Sequence, residues 1–197
     1  MKKSNFLHGF NAAIIMMIGM MLLPCLVNAQ SKGTFTDVRD GRVYAWVKIG
    51  TQTWMGENLK FAAHAGCWTY NNDSANLLTH GRLYTWKTAQ TSCPKGWHAP
   101  SDKEWGLLIQ TLGGNDQAGQ KMLAMDTIAK SRFSSLLSGI RHPDSTFTGL
   151  NSWGGCWTSG KANDSVSNNV LFAHGRKDIG TSTNDKMAGF SVRCIKK

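Results

Sequence analysis

Cysteine and histidine are the residues of this chain whose spacing bears most directly on chemistry. An even number of cysteines in an exported chain favours disulfides, and the four cysteines that follow a predicted leader allow three pairings. A metal site is the alternative, with His64-x-x-Cys67 and Cys93-x4-His98 as its fragments. Because neither a Cys-x-x-Cys nor a His-x3-His pair accompanies these fragments, the sequence predicts two disulfides rather than zinc. The four cysteines are Cys67, Cys93, Cys156 and Cys194.

Catalytic motifs are absent from the sequence. It contains no Gly-x-Ser-x-Gly, no His-Glu-x-x-His, no P-loop and no dinucleotide-binding glycine pattern. His98 precedes a predicted helix and is able to titrate near neutrality, but a loop histidine bonded to the backbone is the commoner case. We therefore predict a protein that is not an enzyme and that holds no metal or cofactor.

The first 29 residues have the pattern of a secretory signal peptide. Lys2 and Lys3 precede an apolar run over residues 12–23, and Val27-Asn28-Ala29 forms a small-residue cleavage pattern. A membrane-spanning helix needs about 20 apolar residues, whereas this run meets Pro24 after about twelve. The sequence thus predicts a leader over residues 1–29 and one domain over residues 30–197, with no membrane span in the mature chain.

The expected location is outside the cytoplasm of a Gram-negative bacterium: secreted, periplasmic or on the outer surface. A lipoprotein acylated on Cys25 is the alternative, and Pro24 directly before that cysteine disfavours it. Both alternatives imply export.

The charge of the chain is positive but scattered. Lys2 and Lys3 are the only charged residues of the leader, so its removal lowers the formal charge from +10 to +8. No basic run is longer than the pairs Arg176-Lys177 and Lys196-Lys197. Because a nucleic-acid-binding protein concentrates its basic residues on one stripe, nucleic acid is not an expected partner. A diffuse positive charge is compatible with an envelope or polysaccharide surface.

Local patterns predict a hairpin followed by helices. Residues 43–49 and 52–55 are rich in β-branched and aromatic side chains and flank Gly50-Thr51, which is typical of two paired strands. A short helix over residues 83–89 is expected to end at Cys93-Pro94. Ser101 and Glu104 form a capping-box pattern, so a second helix is expected to start at Ser101 and to stop at Gly113-Gly114. A weaker helical segment covers residues 118–125.

The second half of the chain predicts short strands, which makes the expected fold class α+β. The apolar pieces lie at residues 133–140, 147–150, 155–158, 170–173 and 190–195. In the last piece Phe190, Val192 and Cys194 alternate with Ser191 and Arg193, which places Cys194 on the core side of a strand.

A series of motifs in one order resembles the Fibrobacter succinogenes major paralogous domain (FISUMP) family over residues 37–197. The motifs are Asp40-Gly41-x-Val43-Tyr44, Val47-Lys48-Ile49-Gly50-Thr51-Gln52-Thr53-Trp54-Met55, Glu57-Asn58-Leu59, Tyr70-Asn71-Asn72-Asp73, Gly81-Arg82-Leu83-Tyr84-Thr85-Trp86, Cys93-Pro94-x-Gly96-Trp97-His98-x-Pro100-Ser101-Asp102-x-Glu104-Trp105 and Gly189-Phe190-Ser191-Val192-Arg193-Cys194. The family is similar in pattern to C-type lectin-like domains. The resemblance therefore implies a hairpin, two helices and a curled antiparallel sheet that is closed by the C-terminal strand.

The resemblance also implies a disulfide pairing. Cys93 with Cys194 resembles the bridge from helix to last strand in lectin-like domains. Cys67 and Cys156 are both atypical of the family, which suggests that they pair with each other. Calcium is not expected, because the Glu-Pro-Asn, Gln-Pro-Asp and Trp-Asn-Asp strings of calcium-dependent lectins do not occur.

The same resemblance points to a ligand loop. Residues 141–153 occupy the place of the long ligand loop of lectin-like domains, so the candidate contacts are Arg141, His142, Asp144, Asn151 and Trp153.

The predicted function is binding. The chain holds 8 Trp, a residue whose indole can stack on a sugar face, although Trp54, Trp86, Trp97 and Trp105 lie in patterns typical of a core. Trp68 and Trp153 fit either burial or exposure. We expect a secreted or cell-surface domain that binds a glycan or a protein at the bacterial envelope. The alternatives are a secreted enzyme acting on polysaccharide or envelope polymer, and a structural surface component without a dedicated ligand.

Overall fold

The computed structural model describes residues 31–127 and 137–197, with the side chains of residues 124–127 left aside. The predicted leader, including Cys25, and residues 133–136 of a predicted strand lie outside this part of the chain. The helices are α1 (Asn76–His80), α2 (Trp86–Ser92), α3 (Asp102–Thr111) and α4 (Asn115–Thr127). The strands are β1 (Lys32–Thr36), β2 (Val43–Ile49), β3 (Gln52–Met55), β4 (Cys67–Trp68), β5 (Leu83–Tyr84), β6 (Trp97–His98), β7 (Ser138–Arg141), β8 (Phe147–Leu150), β9 (Trp153–Lys161), β10 (Val166–Ala173), β11 (Gly180–Asp185) and β12 (Ile195–Lys196).

The fold is mixed α+β with few helices and a curled sheet. The first sheet has the order β1-β2-β3-β12-β6, and its pairings are antiparallel. The second sheet has the order β11-β10-β9-β7-β8, in which β7 meets β9 in parallel at Gly139 and Gly154. A ribbon of β4 and β5 forms the third sheet. In these residues no helix has both the length and the apolar character that a bilayer crossing requires.

The predicted hairpin is confirmed as β2 and β3. Trp46 lies opposite Met55 and Ile49 opposite Gln52. Gly50 makes the turn with φ of 59°, a left-handed conformation that glycine adopts without a steric penalty. Strand β1, which the sequence analysis did not predict, pairs with β2 along its whole length.

The predicted start of α3 is also confirmed. The Ser101 hydroxyl accepts a hydrogen bond from the Glu104 N–H, and the Glu104 carboxylate accepts one from the Ser101 N–H at 2.7 Å, which completes a capping box. Gly113 and Gly114 follow the helix with φ of 98° and 91°.

Helix α2 starts later than predicted, at Trp86, because Leu83 and Tyr84 pair with β4 instead. Helix α4 is longer than predicted.

Replacing Ser101 by alanine is expected to lower the free energy of unfolding by about 1 kcal/mol at neutral pH, because the cap of α3 is lost. Burial raises the pKa of Glu104, but the hydrogen bonds from Ser101 and His98 outweigh it and hold that pKa below 4.5. A carboxyl with a lower pKa in the folded state stabilises fully above 4.5, and this contribution is lost as the pH falls through the folded pKa.

Urea unfolding at neutral and acidic pH measures this effect. Ser101→Ala should lose less stability on acidification than the wild type, because the Ser101 hydroxyl no longer lowers the Glu104 pKa. Lys103→Ala, on the exposed surface of the same helix, serves as the control and should stay within about 0.5 kcal/mol of the wild type. An unchanged stability of Ser101→Ala at neutral pH would contradict the prediction.

The C-terminal segment differs from the predicted regular strand over residues 190–195. Only Ile195 and Lys196 form a strand, and Phe190 and Ser191 make isolated bridges to Tyr84 and Cys156. The segment runs from the second sheet to the first. Its Ser191 N–H donates to the Gly155 carbonyl, and its Cys194 carbonyl accepts from the Met55 N–H. Structure therefore covers it on both sides, and no solvent face exists for the expected alternation.

The C-terminal strand has an internal position in its sheet. Strand β12 lies in the first sheet, between β3 and β6. The described residues also form four α-helices and one short 3-10 helix (Tyr70–Asn72), where the resemblance implied two helices.

Arg193 lies inside this covered segment and is fully buried. Its Nη2 donates to Asn58 Oδ1 at 2.7 Å, its Nε donates to the same oxygen at 3.2 Å, and its Nη1 donates to the Gly56 carbonyl at 2.7 Å. Asn58 in turn donates to the Ser138 hydroxyl at 2.6 Å. This polar network joins three parts of the chain: the segment after β3, strand β7 and the C-terminal segment.

One of the two predicted disulfides is confirmed. Cys93, at the end of α2, is bonded to Cys194 just before β12, with a Cα–Cα distance of 5.9 Å. The predicted bond between Cys67 and Cys156 is wrong, because both are free thiols. Cys67 lies in β4, where its thiol donates to the Ala63 carbonyl. Cys156 lies in β9, and the two cysteines pack in different core clusters. Burial raises the pKa of Cys156 to about 11, so this thiol stays protonated.

Candidate functional site

The five residues of the predicted ligand loop do not meet in one place. Arg141, His142 and Asp144 surround the turn from β7 to β8, whereas Asn151 and Trp153 lie beyond the other end of β8. Strand β8 has four residues, so the Cα atoms at its two ends are about 10 Å apart. The structure thus separates the predicted contacts into two groups.

The first group is ordered by contacts within its own turn. The Arg141 guanidinium lies 3.9 Å from the centroid of the Trp68 ring, which is half-buried. His142 Nε2 lies 3.0 Å from the Thr148 hydroxyl oxygen. Asp144 is exposed and accepts hydrogen bonds from the hydroxyl and the N–H of Thr146, which lower the pKa of its carboxyl. Arg141 and His142 are half-buried, so Asp144 is the most accessible residue of this group.

Of the second group, Trp153 lines a small cavity of about 260 Å³. Trp153 is half-buried, and a Cβ added at Gly149 would lie 2.6 Å from its ring. The ring lines the cavity with Phe172, beside the ion pair of Arg176 and Asp178 at 2.7 Å. Asn151 lies in the turn before β9 with φ of 61°.

The possible zinc fragments are not assembled. Across residues 31–127 and 137–197 no three His, Cys, Asp or Glu side chains are grouped as a metal site would require. Cys93 is in the disulfide, and His98 Nε2 lies 2.7 Å from Glu104 Oε1.

A larger cavity lies between α3 and the second sheet, and we call it the α3 groove. Its volume is about 490 Å³, within the usual range of small-molecule sites. Helix α3 provides one wall through residues at positions i, i+3, i+4 and i+7, which share one helix face. They are Asp102, Trp105, Gly106 and Ile109.

Strands β9, β10 and β11 provide the floor of the α3 groove. Side chains on one face of a sheet alternate along each strand and match across strands. Asn168 lies opposite Thr183, and Val170 lies opposite Thr181, so these four share the face toward α3. Thr158 of β9 also lines the groove, and its hydroxyl donates to the Asn168 carbonyl at 3.3 Å. The floor is therefore rich in hydroxyl groups.

A local irregularity in β9 builds the polar end of the α3 groove. The register between β9 and β10 shifts next to Asn168, and the Ser159 N–H donates to the Pro100 carbonyl at 2.7 Å, which ties β9 to the start of α3. The Asn168 amide then donates to Asp102 Oδ2 at 3.0 Å. A Cβ at Gly160 would lie 2.0 Å from that same oxygen, so any larger residue here would displace the Asp102 carboxylate.

The inner end of the α3 groove is apolar. Trp105 is 1% exposed and packs against Trp54 and Phe172, with ring centroids 4.7 and 6.0 Å away. Its indole N–H has no hydrogen-bond partner within the described structure. Asn169, which also borders the groove, lies opposite Trp157, so its side chain projects to the other face of the sheet. The groove thus combines an apolar base with a polar rim.

Sequence reasoning missed this groove because its residues carry ordinary structural patterns. Asp102 and Trp105 belong to the capped amphipathic helix, and strand β11 was not predicted at all. The one local signal is Gly106, since a glycine inside a helix costs roughly 0.5–1 kcal/mol relative to alanine. A Cβ at Gly106 would meet nothing within 4 Å, so the groove stays open above it.

Comparison with known families gives one family for this chain. The family model described as Fibrobacter succinogenes major domain matches residues 47–196. The chain belongs to this family. The predicted resemblance is thereby confirmed at the family level. The Fibrobacter succinogenes major domain includes the disulfide, α3 and every residue of the α3 groove. Neither the curated proteins nor the solved structures contain a match to the chain.

Proposed function

We propose that this chain is an exported, non-enzymatic binding domain that recognises a glycan at the bacterial envelope through the α3 groove. The observation that carries the proposal is the lining of the groove. The inner part of the groove is apolar, with Trp105 and Ile109 from the wall and Val170 from the floor. Carboxylate, amide and hydroxyl groups surround it at the rim. A sugar ring has the matching character, with a C–H face and a border of hydroxyls that both donate and accept hydrogen bonds.

The rim is suited to bind hydroxyl groups. Asp102 is exposed, and its hydrogen bond to Asn168 holds Oδ2 in a fixed position at the rim. Thr181 and Thr183 are exposed on the adjacent edge strand and supply hydroxyls that donate and accept. Because polar groups that are already fixed lose little freedom on binding, this arrangement favours recognition.

Export and a C-type lectin-like architecture are parts of the same proposal. The disulfide supports export, because such bonds persist in oxidising compartments. The bridge from the end of α2 to the last strand, together with the hairpin and the curled sheet, supports the lectin-like assignment. The five residues predicted from that likeness, Arg141, His142, Asp144, Asn151 and Trp153, remain candidate contacts for a larger ligand.

A carbohydrate-binding measurement with a variant that fills the groove tests the proposal. Gly106→Leu places a side chain in the open space of the α3 groove and should weaken glycan binding at least tenfold, about 1.4 kcal/mol. The purified protein would be tested on a glycan array, and its best ligand would then be titrated by calorimetry. Gln110→Leu adds the same side chain to an exposed position of α3 outside the groove and should bind as the wild type does.

Gly106→Ala is the control for the effect of a substitution at this position on stability. This change should raise the free energy of unfolding by roughly 0.5–1 kcal/mol, since it removes a helix glycine without a clash. Absence of saturable binding to any glycan would overturn the proposal, as would equal binding by Gly106→Leu. Release of new reducing ends from a polysaccharide would show an enzyme instead.

A further inference from the structure

The α3 groove has a charge opposite to that of the whole chain. Of the described residues that line it, Asp102 alone is ionisable at neutral pH, and the other polar groups are amides and hydroxyls. The full chain has a formal charge of +10. If net charge alone determined the partner, anionic polymers would bind best. The groove itself presents a carboxylate.

The position of this carboxylate is fixed by its neighbours. Asn168 donates to Oδ2 from the floor of the groove. Gly160 leaves the space that the carboxylate occupies, because a Cβ there would overlap Oδ2. Asp102 is also in the first turn of α3, where the helix dipole favours a negative charge. These contacts hold the carboxylate of Asp102 at the rim of the groove.

We propose that Asp102 makes the α3 groove selective for neutral sugars and amino sugars and against anionic sugars. This inference rests on the proposed function. A uronate carboxylate in the groove would lie near Asp102 without a cation among the described lining residues to offset it, and like charges repel each other. A protonated amino group would instead form a charge-assisted hydrogen bond with Asp102.

Three probes of equal linkage separate these ligands: β-1,4-linked oligosaccharides of glucose, of glucosamine and of glucuronic acid. The wild type should bind the glucuronic acid probe at least tenfold more weakly than the glucose probe, and the glucosamine probe at least as tightly as glucose. Asp102→Asn keeps the size of the side chain and removes its charge. It should bring the affinities for glucose and glucuronic acid probes to within about threefold of each other.

Asp116→Asn is the matched control, because Asp116 is exposed in the first turn of α4 and does not line the groove. It changes net charge equally and should keep the wild-type ratio. Equal binding of the glucose and glucuronic acid probes by the wild type would overturn this inference alone, as would an unchanged ratio in Asp102→Asn. Absence of binding to all three probes and to the glycan array would overturn the proposed function as well.

Discussion

Removing the disulfide between Cys93 and Cys194 is expected to lower the free energy of unfolding by about 4 to 5 kcal/mol. The bond joins residues 101 positions apart, and a crosslink over so long a loop restricts the unfolded chain strongly. Cys93→Ser with Cys194→Ser removes the bond without leaving an unpaired thiol. Guanidinium unfolding of this double variant and of the wild type under non-reducing conditions measures the difference.

Cys67→Ser is the control for the sulfur chemistry. Cys67 is a free, half-buried thiol whose hydrogen bond to the Ala63 carbonyl a serine hydroxyl can retain, so we expect a loss below about 1 kcal/mol. A reductant should destabilise the wild type and Cys67→Ser alike and leave the double variant unchanged. A stability loss below about 1 kcal/mol in the double variant would contradict the prediction.

Replacing Asn58 by leucine is expected to lower the free energy of unfolding by about 3 to 5 kcal/mol. Asn58 Oδ1 accepts two hydrogen bonds from the fully buried Arg193 guanidinium, and leucine has a similar volume but no acceptor. Removing one partner of a buried charge is strongly destabilising, because the desolvated guanidinium loses two of its hydrogen bonds. Urea unfolding, with near-ultraviolet circular dichroism to check tertiary packing, measures the loss.

Arg42→Ala provides the comparison for a surface pair. The ion pair of Arg42 and Asp40 has exposed side-chain fractions of 36% and 23%, and such pairs contribute about 0 to 1 kcal/mol. If Asn58→Leu were no more destabilising than Arg42→Ala, the buried network would not have the role that its geometry indicates.

Local signals predicted those parts of the fold that local contacts determine. The capping box of α3 depends on Ser101 and Glu104, three residues apart, and the β2–β3 turn depends on Gly50. Strand β11 was missed because its sequence, Gly-Thr-Ser-Thr-Asn-Asp, is polar. It forms because β10 offers it a complete edge.

The predictions for the C-terminal segment and for the second cysteine pair were wrong for a common reason. Alternation of Phe190, Val192 and Cys194 indicates which side chains are apolar, but not that a second layer covers Ser191 and Arg193. Likewise, Cys67 and Cys156 are both unusual in position, yet only the three-dimensional path of β4 and β9 shows that they pack in separate clusters. The α3 groove required the same non-local knowledge, since its wall and floor come from segments about 60 residues apart.

The central place of β12 has a consequence for the order in which the molecule forms. Ile195 pairs with Trp54 on one side and with His98 on the other, so one of the latest residues of the chain completes a sheet begun by the earliest strands. During synthesis, β1, β2 and β3 emerge long before that partner does. The first sheet therefore becomes complete only after the C-terminal segment is available. Such distant pairings are typical of slowly folding proteins.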